Sequence, residues 1–192
     1  QRHIFVDNSN IFISAQVLPD GTKDHTVRVS IPVLASLLNS GSSQPGDRVV
    51  SGSKPPSTSV IWEAWRRQGY NVKVGCRDPE TRRESNVDDF LHAQIQECIL
   101  SHGANTQNST IVLVTGDGNA NEGYSTFVRA ARHALDRGFR LEVWSWRSSL
   151  SGALRGLVAT HPEQARIVLL DQFRDRVTFN GTNWRTTTAT TA

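Results

Sequence analysis

Short apolar runs alternate along most of this chain with segments of helical period. "HIFVD" (3–7), "DRVVSGS" (47–53), the alternating "YNVKVGC" (70–76), "STIVLVTG" (109–116), "FRLEVWSW" (139–146) and "RIVLL" (166–170) each predict a strand. Between them, "IPVLASLLNSG" (31–41) spaces Ile31, Leu34 and Leu38 as a helix does and stops at Gly41. "TSVIWEAWRRQGY" (58–70) sets Ile61, Trp62 and Trp65 on one face. "SNVDDFLHAQIQECILSHG" (85–103) carries Val87, Leu91, Ile95, Cys98 and Ile99 at helical spacing; "YSTFVRAARHALDRG" (124–138) and a short segment at 150–159 are further helices. Strands separated by helices of this length pair in parallel through right-handed crossovers. The expected fold is therefore α/β, a three-layer α/β/α sandwich with a mainly parallel central sheet and 111–114 as a central strand.

The connectors sharpen the outline. "LPDGTKDHT" (18–26) reads as a surface hairpin or loop, while "NSGSSQPGD" and "SGSKPPSTS" are Gly/Ser/Pro linkers. No repeat and no second domain interrupts the series, so residues 1–184 are expected to form one domain and 185–192 a low-complexity tail. With 192 residues and 37% hydrophobic side chains, one sizeable core is within reach. The chain contains no methionine, even at position 1, which predicts an excised domain or processed product. Lys and Arg number 21 against 18 Asp and Glu, a net charge of +3 with a pI near 9.2. This is mild basicity, compatible with an anionic partner and far below the density of a histone-like binder. Cys76 and Cys98 form no CxxC pair and are too few for a disulfide framework, which favours a reducing, intracellular compartment, cytoplasmic or nuclear, and gives no zinc motif. No run of about 20 apolar residues suggests a membrane segment.

Three acids stand where a parallel sheet places chemistry, at the carboxyl ends of strands near the point where strand order reverses. Asp7 closes the first strand in "FVDNSN", Asp88 and Asp89 fall in the first turn of the 85–103 helix, and Asp117 follows the central strand in "VTGDGNANEG". Converging carboxylates repel unless a cation lies between them. A hard divalent ion, Mg²⁺ or Mn²⁺, takes such oxygen ligands and leaves positions for water, so the chemistry suggested is phosphoryl hydrolysis. Asparagine oxygens from Asn8, Asn10, Asn119 or Asn121 are candidate neutral ligands. Each acid also has a structural role open to it: an Asx turn at Asp7 and Asn8, a capping box from Ser85 to Asp88, and an ordinary "GDG" turn at Asp117.

The segments "HIFVDNSNIFI", "RVVSGSKPP", "SNVDDFLHAQI" and "IVLVTGDGNANEG", in this order, resemble the NYN domain, a branch of the PIN-like ribonucleases, over roughly residues 3–147. The resemblance implies a compact α/β domain that binds Mg²⁺ or Mn²⁺ and cuts single-stranded or structured RNA as an endonuclease. Asp7, Asp88 and Asp117 match its metal-binding catalytic acids, and Asn10 and Thr115 the polar residues beside them. The chain departs from the pattern at Asn119, where a further acid is usual, and at Ile95, where another acid of the helix is expected; Asp89 and His92 are the polar groups nearest that second place. Fewer carboxylates weaken cation binding.

RNA contacts are expected from Arg77, Arg82 and Arg83 in "CRDPETRRES" and from Lys54 in "SGSKPP", all following strands. A solvated loop of mixed charge is the plain alternative for the arginines. Trp62, Trp65, Trp144 and Trp146 read as packing residues and Trp184 as a candidate exposed stacking or partner-binding aromatic. Two further functions compete with the nuclease. One is an NYN-like module that binds RNA or protein without cleaving, with protein partners reached through neighbouring domains. The other is a haloacid-dehalogenase-like phosphatase, which "GDGNAN" resembles but which needs a second Asp where this chain has Ser9.

Overall fold

The computed structural model describes residues 1–41, 44–53, 59–75, 87–102, 106, 108–118 and 127–181, and their side chains except those of Pro45, Ser59, Val87 and Asp88. Strand β1 (Arg2–Asp7) runs directly into helix α1 (Asn8–Ala15), followed by β2 (Val27–Val29), α2 (Ile31–Asn39), β3 (Pro45–Ser53), α3 (Ser59–Arg67) and β4 (Asn71–Gly75). The second half continues with α4 (Val87–Ser101), β5 (Thr110–Val114), α5 (Phe127–Asp136), β6 (Arg140–Ser145), α6 (Gly152–Ala159) and β7 (Ala165–Leu169). A 3₁₀ turn (Leu170–Phe173), α7 (Arg174–Val177) and β8 (Thr178–Asn180) complete it. Six strands form one sheet in the order β4-β3-β1-β5-β6-β7, and every neighbouring pair is parallel. Strand order therefore reverses between β1 and β5.

Alternation along β1 shows how the layers are made. Phe5 points into a core with α4, α5 and α6, while Ile4 and Val6 point into a second core with α1, α2, α3 and α7. Two covered faces explain why β5 is apolar throughout rather than alternating. The three-layer sandwich expected from the sequence is the fold observed. Residues 18–22 do form a hairpin turn: Leu18 N–H donates to the Thr22 carbonyl (2.8 Å), and Gly21 takes φ +85°, a region that glycine enters without steric cost. The sequence pattern did not disclose α1, nor the separate antiparallel pair of β2 and β8.

A charged cluster ties the strands together away from their carboxyl ends. Glu142 on β6, with 7% of its side chain exposed, accepts two hydrogen bonds from the Arg2 guanidinium (2.8 and 2.7 Å). It accepts a third from Arg166 (2.6 Å) and a fourth from the Trp144 indole (2.9 Å). Arg2 also donates through Nε to the Leu38 carbonyl, so the same guanidinium holds the last turn of α2 (3.1 Å). Burial alone would raise the Glu142 pKa, but hydrogen bonds from Arg2, Trp144 and Arg166 and the Arg2 charge outweigh it and hold it at about 2, against an ordinary 4.5. A depressed folded-state pKa contributes stability that is complete above pH 4.5 and is lost as pH falls towards 2. At 1.36 kcal/mol per unit the contribution is about 3 kcal/mol. Urea unfolding at several pH values should show the wild type losing that amount between neutrality and pH 2, with Glu142→Gln, already weaker at pH 7, lacking this component. Parallel pH profiles for the two proteins would contradict the assignment.

Candidate active site

Asp7 is the last residue of β1 and the N-cap of α1, with φ −85° and ψ 94°; its Oδ1 accepts from the Asn10 backbone N–H (3.0 Å). This cap lets a strand become a helix without a loop, and it fixes the carboxylate at the sheet edge. In register, Asp7 lies opposite Ser51 of β3, while Val6 lies opposite Val114 of β5, so Thr115 is the next residue along on that side. The Thr115 hydroxyl donates to Asp7 Oδ2 (3.0 Å) and accepts from the Asp117 backbone N–H (3.1 Å). One buried hydroxyl thus links the Asp7 carboxylate to the Asp117 backbone. Asn10 Oδ1 accepts from the Gly116 N–H (2.9 Å), locking α1 to the turn after β5.

That turn is also held from the other side. Ser151, the N-cap of α6, donates its backbone N–H to the Gly116 carbonyl (2.9 Å) while its hydroxyl accepts from Leu154 (3.2 Å). A Cβ on Gly116 would overlap the backbone carbonyl of Ser149, and one on Gly118 would overlap the Ser151 hydroxyl. The glycines of "VTGDG" are there for close approach to α6, and they carry Asp117 past it.

The remaining sequence candidates separate into groups. Asn8 is buried and its Oδ1 accepts from the Trp65 indole N–H (2.9 Å), so it anchors α1 to α3 in the core. Its oxygen serves that contact instead of offering itself to a metal. Asp89 is exposed on α4. Position 88 lies one helical turn ahead of His92, and the charge of Asp117 is felt at His92, which brings the start of α4 to the exit of β5. The side chain of Asp88, and Asn119, Asn121, Lys54, Arg77, Arg82, Arg83 and Trp184, lie outside the described residues. Ser9, the phosphatase family's second acid position, accepts from the Ser53 N–H (3.1 Å).

Two further polar groups stand at this edge: Ser51, which the sequence did not single out, and His92, which it placed near the second acid position. The Ser51 hydroxyl is fully buried beside Asp7 in register and has no hydrogen-bond partner. His92 is 5% exposed, with neither ring nitrogen partnered, its ring edge-on to Phe127 (4.6 Å between centroids). Burial pushes the His92 pKa below its ordinary value, against the opposing pull of Asp89 and Asp117, so it is neutral at pH 7. Buried polar atoms without partners also occur away from this edge, at Arg48, Trp62, Tyr70 and Arg174, so these two draw interest from lying near the linked acids.

The fold recurs elsewhere. A protein of unknown function from Vibrio parahaemolyticus superposes with a TM-score of 0.51 at 14% identity, over 87% of this chain and 91% of its own. At that identity the likeness extends to fold alone. No protein-family model and no curated protein matches the chain. Among the described residues no helix is long and apolar enough to cross a membrane.

Thr115→Val keeps the shape of the side chain but leaves Asp7 Oδ2 and the Asp117 amide without this partner. It should cost about 1–3 kcal/mol in chemical denaturation and speed hydrogen exchange at the Asp117 amide. Unchanged exchange there would remove Thr115 as the link between the acids.

Proposed function

We propose that the chain is a metal-dependent endoribonuclease, hydrolysing RNA phosphodiester bonds with Mg²⁺ or Mn²⁺ held by Asp7 and Asp117 and completed by Asp88. The observation that carries this reading is the hydrogen-bonded series Asp7, Thr115, Asp117 at the β1/β5 switch point. The donor set is all oxygen, as a hard cation requires. The bound ion would supply charge neutralisation for the phosphate and a water of lowered pKa.

The chain's own groups have definable tasks in that reading. Thr115 holds the Asp7 carboxylate and the Asp117 backbone through one hydroxyl, Asn10 fixes the turn that carries Asp117, and the neutral His92 and Ser51 offer polar atoms to the metal's waters or the phosphate. Lys54 follows Ser53 at the end of β3, and Arg77 comes two residues after the end of β4 at Gly75, so both are assigned to phosphate contacts on this edge, with Arg82 and Arg83 beyond them. RNA, single-stranded or structured, is the partner, and the free thiol of Cys98 fits a reducing cytoplasmic or nuclear setting.

A second reading is supported by Asp7 itself. Both its oxygens accept hydrogen bonds from within the chain, as a purely structural cap would. The alternative is an RNA- or protein-binding module without cleavage.

Labelled single-stranded RNA incubated with Mn²⁺ separates the two. The wild type should cut, leaving 5′-phosphate and 3′-hydroxyl ends, and Asp117→Asn should be slower by about 100-fold or more. A wild type no faster than the variant refutes the nuclease and leaves the binding module. A nucleotide monophosphatase assay on the same samples reports on the phosphatase.

A further inference from the structure

The opposite end of the sheet holds a second cluster of metal-binding side chains, independent of the acids just described. Cys98 and His102 stand four residues apart on one face of the last turn of α4 and its exit, and His3 faces them from the start of β1. Their ligand atoms lie within 4.8 Å of one another. The His3 and His102 rings meet edge to face at 4.4 Å between centroids.

The surroundings set up each imidazole for ligation. His3 is 1% exposed; its Nδ1 lies 2.9 Å from the Asp47 carboxylate and 3.2 Å from the Asp47 backbone N–H, and the tautomer in which Nδ1–H donates to the carboxylate is the one that frees Nε2 for a metal. Its Nε2 is buried and has no hydrogen-bond partner among the described residues. His102 Nδ1 meets the Cys98 backbone carbonyl (2.8 Å), and its Nε2 lies 3.1 Å from Gln1 Oε1, an exposed contact that a metal on Nε2 would displace. Carboxylate and backbone-carbonyl partners on the far nitrogen are the usual supports of metal-bound histidines. Burial, with the Asp47 charge and a hydrogen bond to it, pushes the Cys98 thiol pKa well above its ordinary value, so the metal-free sulfur is protonated.

From this arrangement we infer that His3 Nε2, Cys98 Sγ and His102 Nε2 form a Zn²⁺ site, with the Asp47 carboxylate behind His3 and a fourth position for water or for Asp47. Two imidazoles and one thiolate are a donor set that suits zinc, whereas Mg²⁺ prefers oxygen. Zinc–nitrogen and zinc–sulfur bonds of about 2.0–2.3 Å put tetrahedral ligands about 3.5 Å apart, so the cluster closes by about 1 Å. His102, half-buried at the helix exit, is the side chain free to make that movement. Binding forms the Zn–S bond and releases the thiol proton to solvent, so affinity rises with pH. A site spanning β1 and α4 stabilises their packing by binding only the folded chain.

Cobalt(II) titration of the metal-stripped chain, followed by absorption, tests this without reference to RNA. One equivalent should bring up a thiolate-to-cobalt charge-transfer band with intense tetrahedral d–d bands, and Zn²⁺ should bleach them stoichiometrically. Cys98→Ser and His102→Ala should each abolish the charge-transfer band or weaken cobalt binding at least 10-fold, while Asp117→Asn should leave it intact. Circular dichroism confirms that each variant is folded, and His102→Ala, at the less buried position, serves if Cys98→Ser is not. A wild type without the band, a band that persists in the folded variants, or one lost in Asp117→Asn overturns the site. Failure of the nuclease assay leaves this result untouched.

Discussion

A parallel sheet has to be covered on both faces, because its strands are buried throughout and each connection must cross over. Strand β1 lies at the centre of that constraint. It pairs with β3 on one side and β5 on the other, and it sends alternate side chains into two cores. Its carboxyl end is where Asp7 meets Thr115, and its amino end is where Arg2 reaches Glu142 and His3 reaches Asp47. Both ends of one strand therefore carry the polar groups that the buried middle cannot.

Much of this was legible from pattern alone. The run at 111–114 is too apolar for a half-exposed sheet, and the helical spacing from Leu91 to Ile99 identified α4 and the face it buries. Asp7 and Asp117 could be picked out because glycine and asparagine after an apolar run mark a strand exit, and Thr115 only through the resemblance to the NYN pattern. Helix α1 was hidden because Asp7 ends the strand and caps the helix in the same residue, leaving no loop to signal the change. Strands β2 and β8 are three residues each and lie at distant points in the chain, so neither has a period to read. Asn8 resembled a site residue in "VDNSN", yet one position of helical rotation turns it into the core towards Trp65.

Buried charge and buried histidine were the least legible features. Glu142 sits in "FRLEVWSW" with only the Trp144 indole as a neighbouring partner in sequence, since the arginines that balance its charge are 140 and 24 residues away. His3 and the Cys98–His102 pair are separated in the same way: the i,i+4 spacing is visible, but the third member comes from another element. Ser51 went unremarked within "RVVSGSKPP", and His92, though visible one turn after Asp88, gave no sign in sequence of its burial. Spacing within one segment reveals local chemistry, and groups assembled by tertiary contact leave no such trace.

The central position of β1 also sets an order of assembly. Its first partner, β3, ends at Ser53, but its second does not exist until Val114 has been made, and Glu142 follows later still. During synthesis from the N-terminus, β1 must wait with one edge open while some 60 further residues emerge. Long-range parallel pairings of this kind fold slowly because loop closure precedes any stabilising contact. The apolar "IFV" edge stays unpaired until then, and the Asp7 carboxylate gains its Thr115 contact only when the second half of the chain arrives.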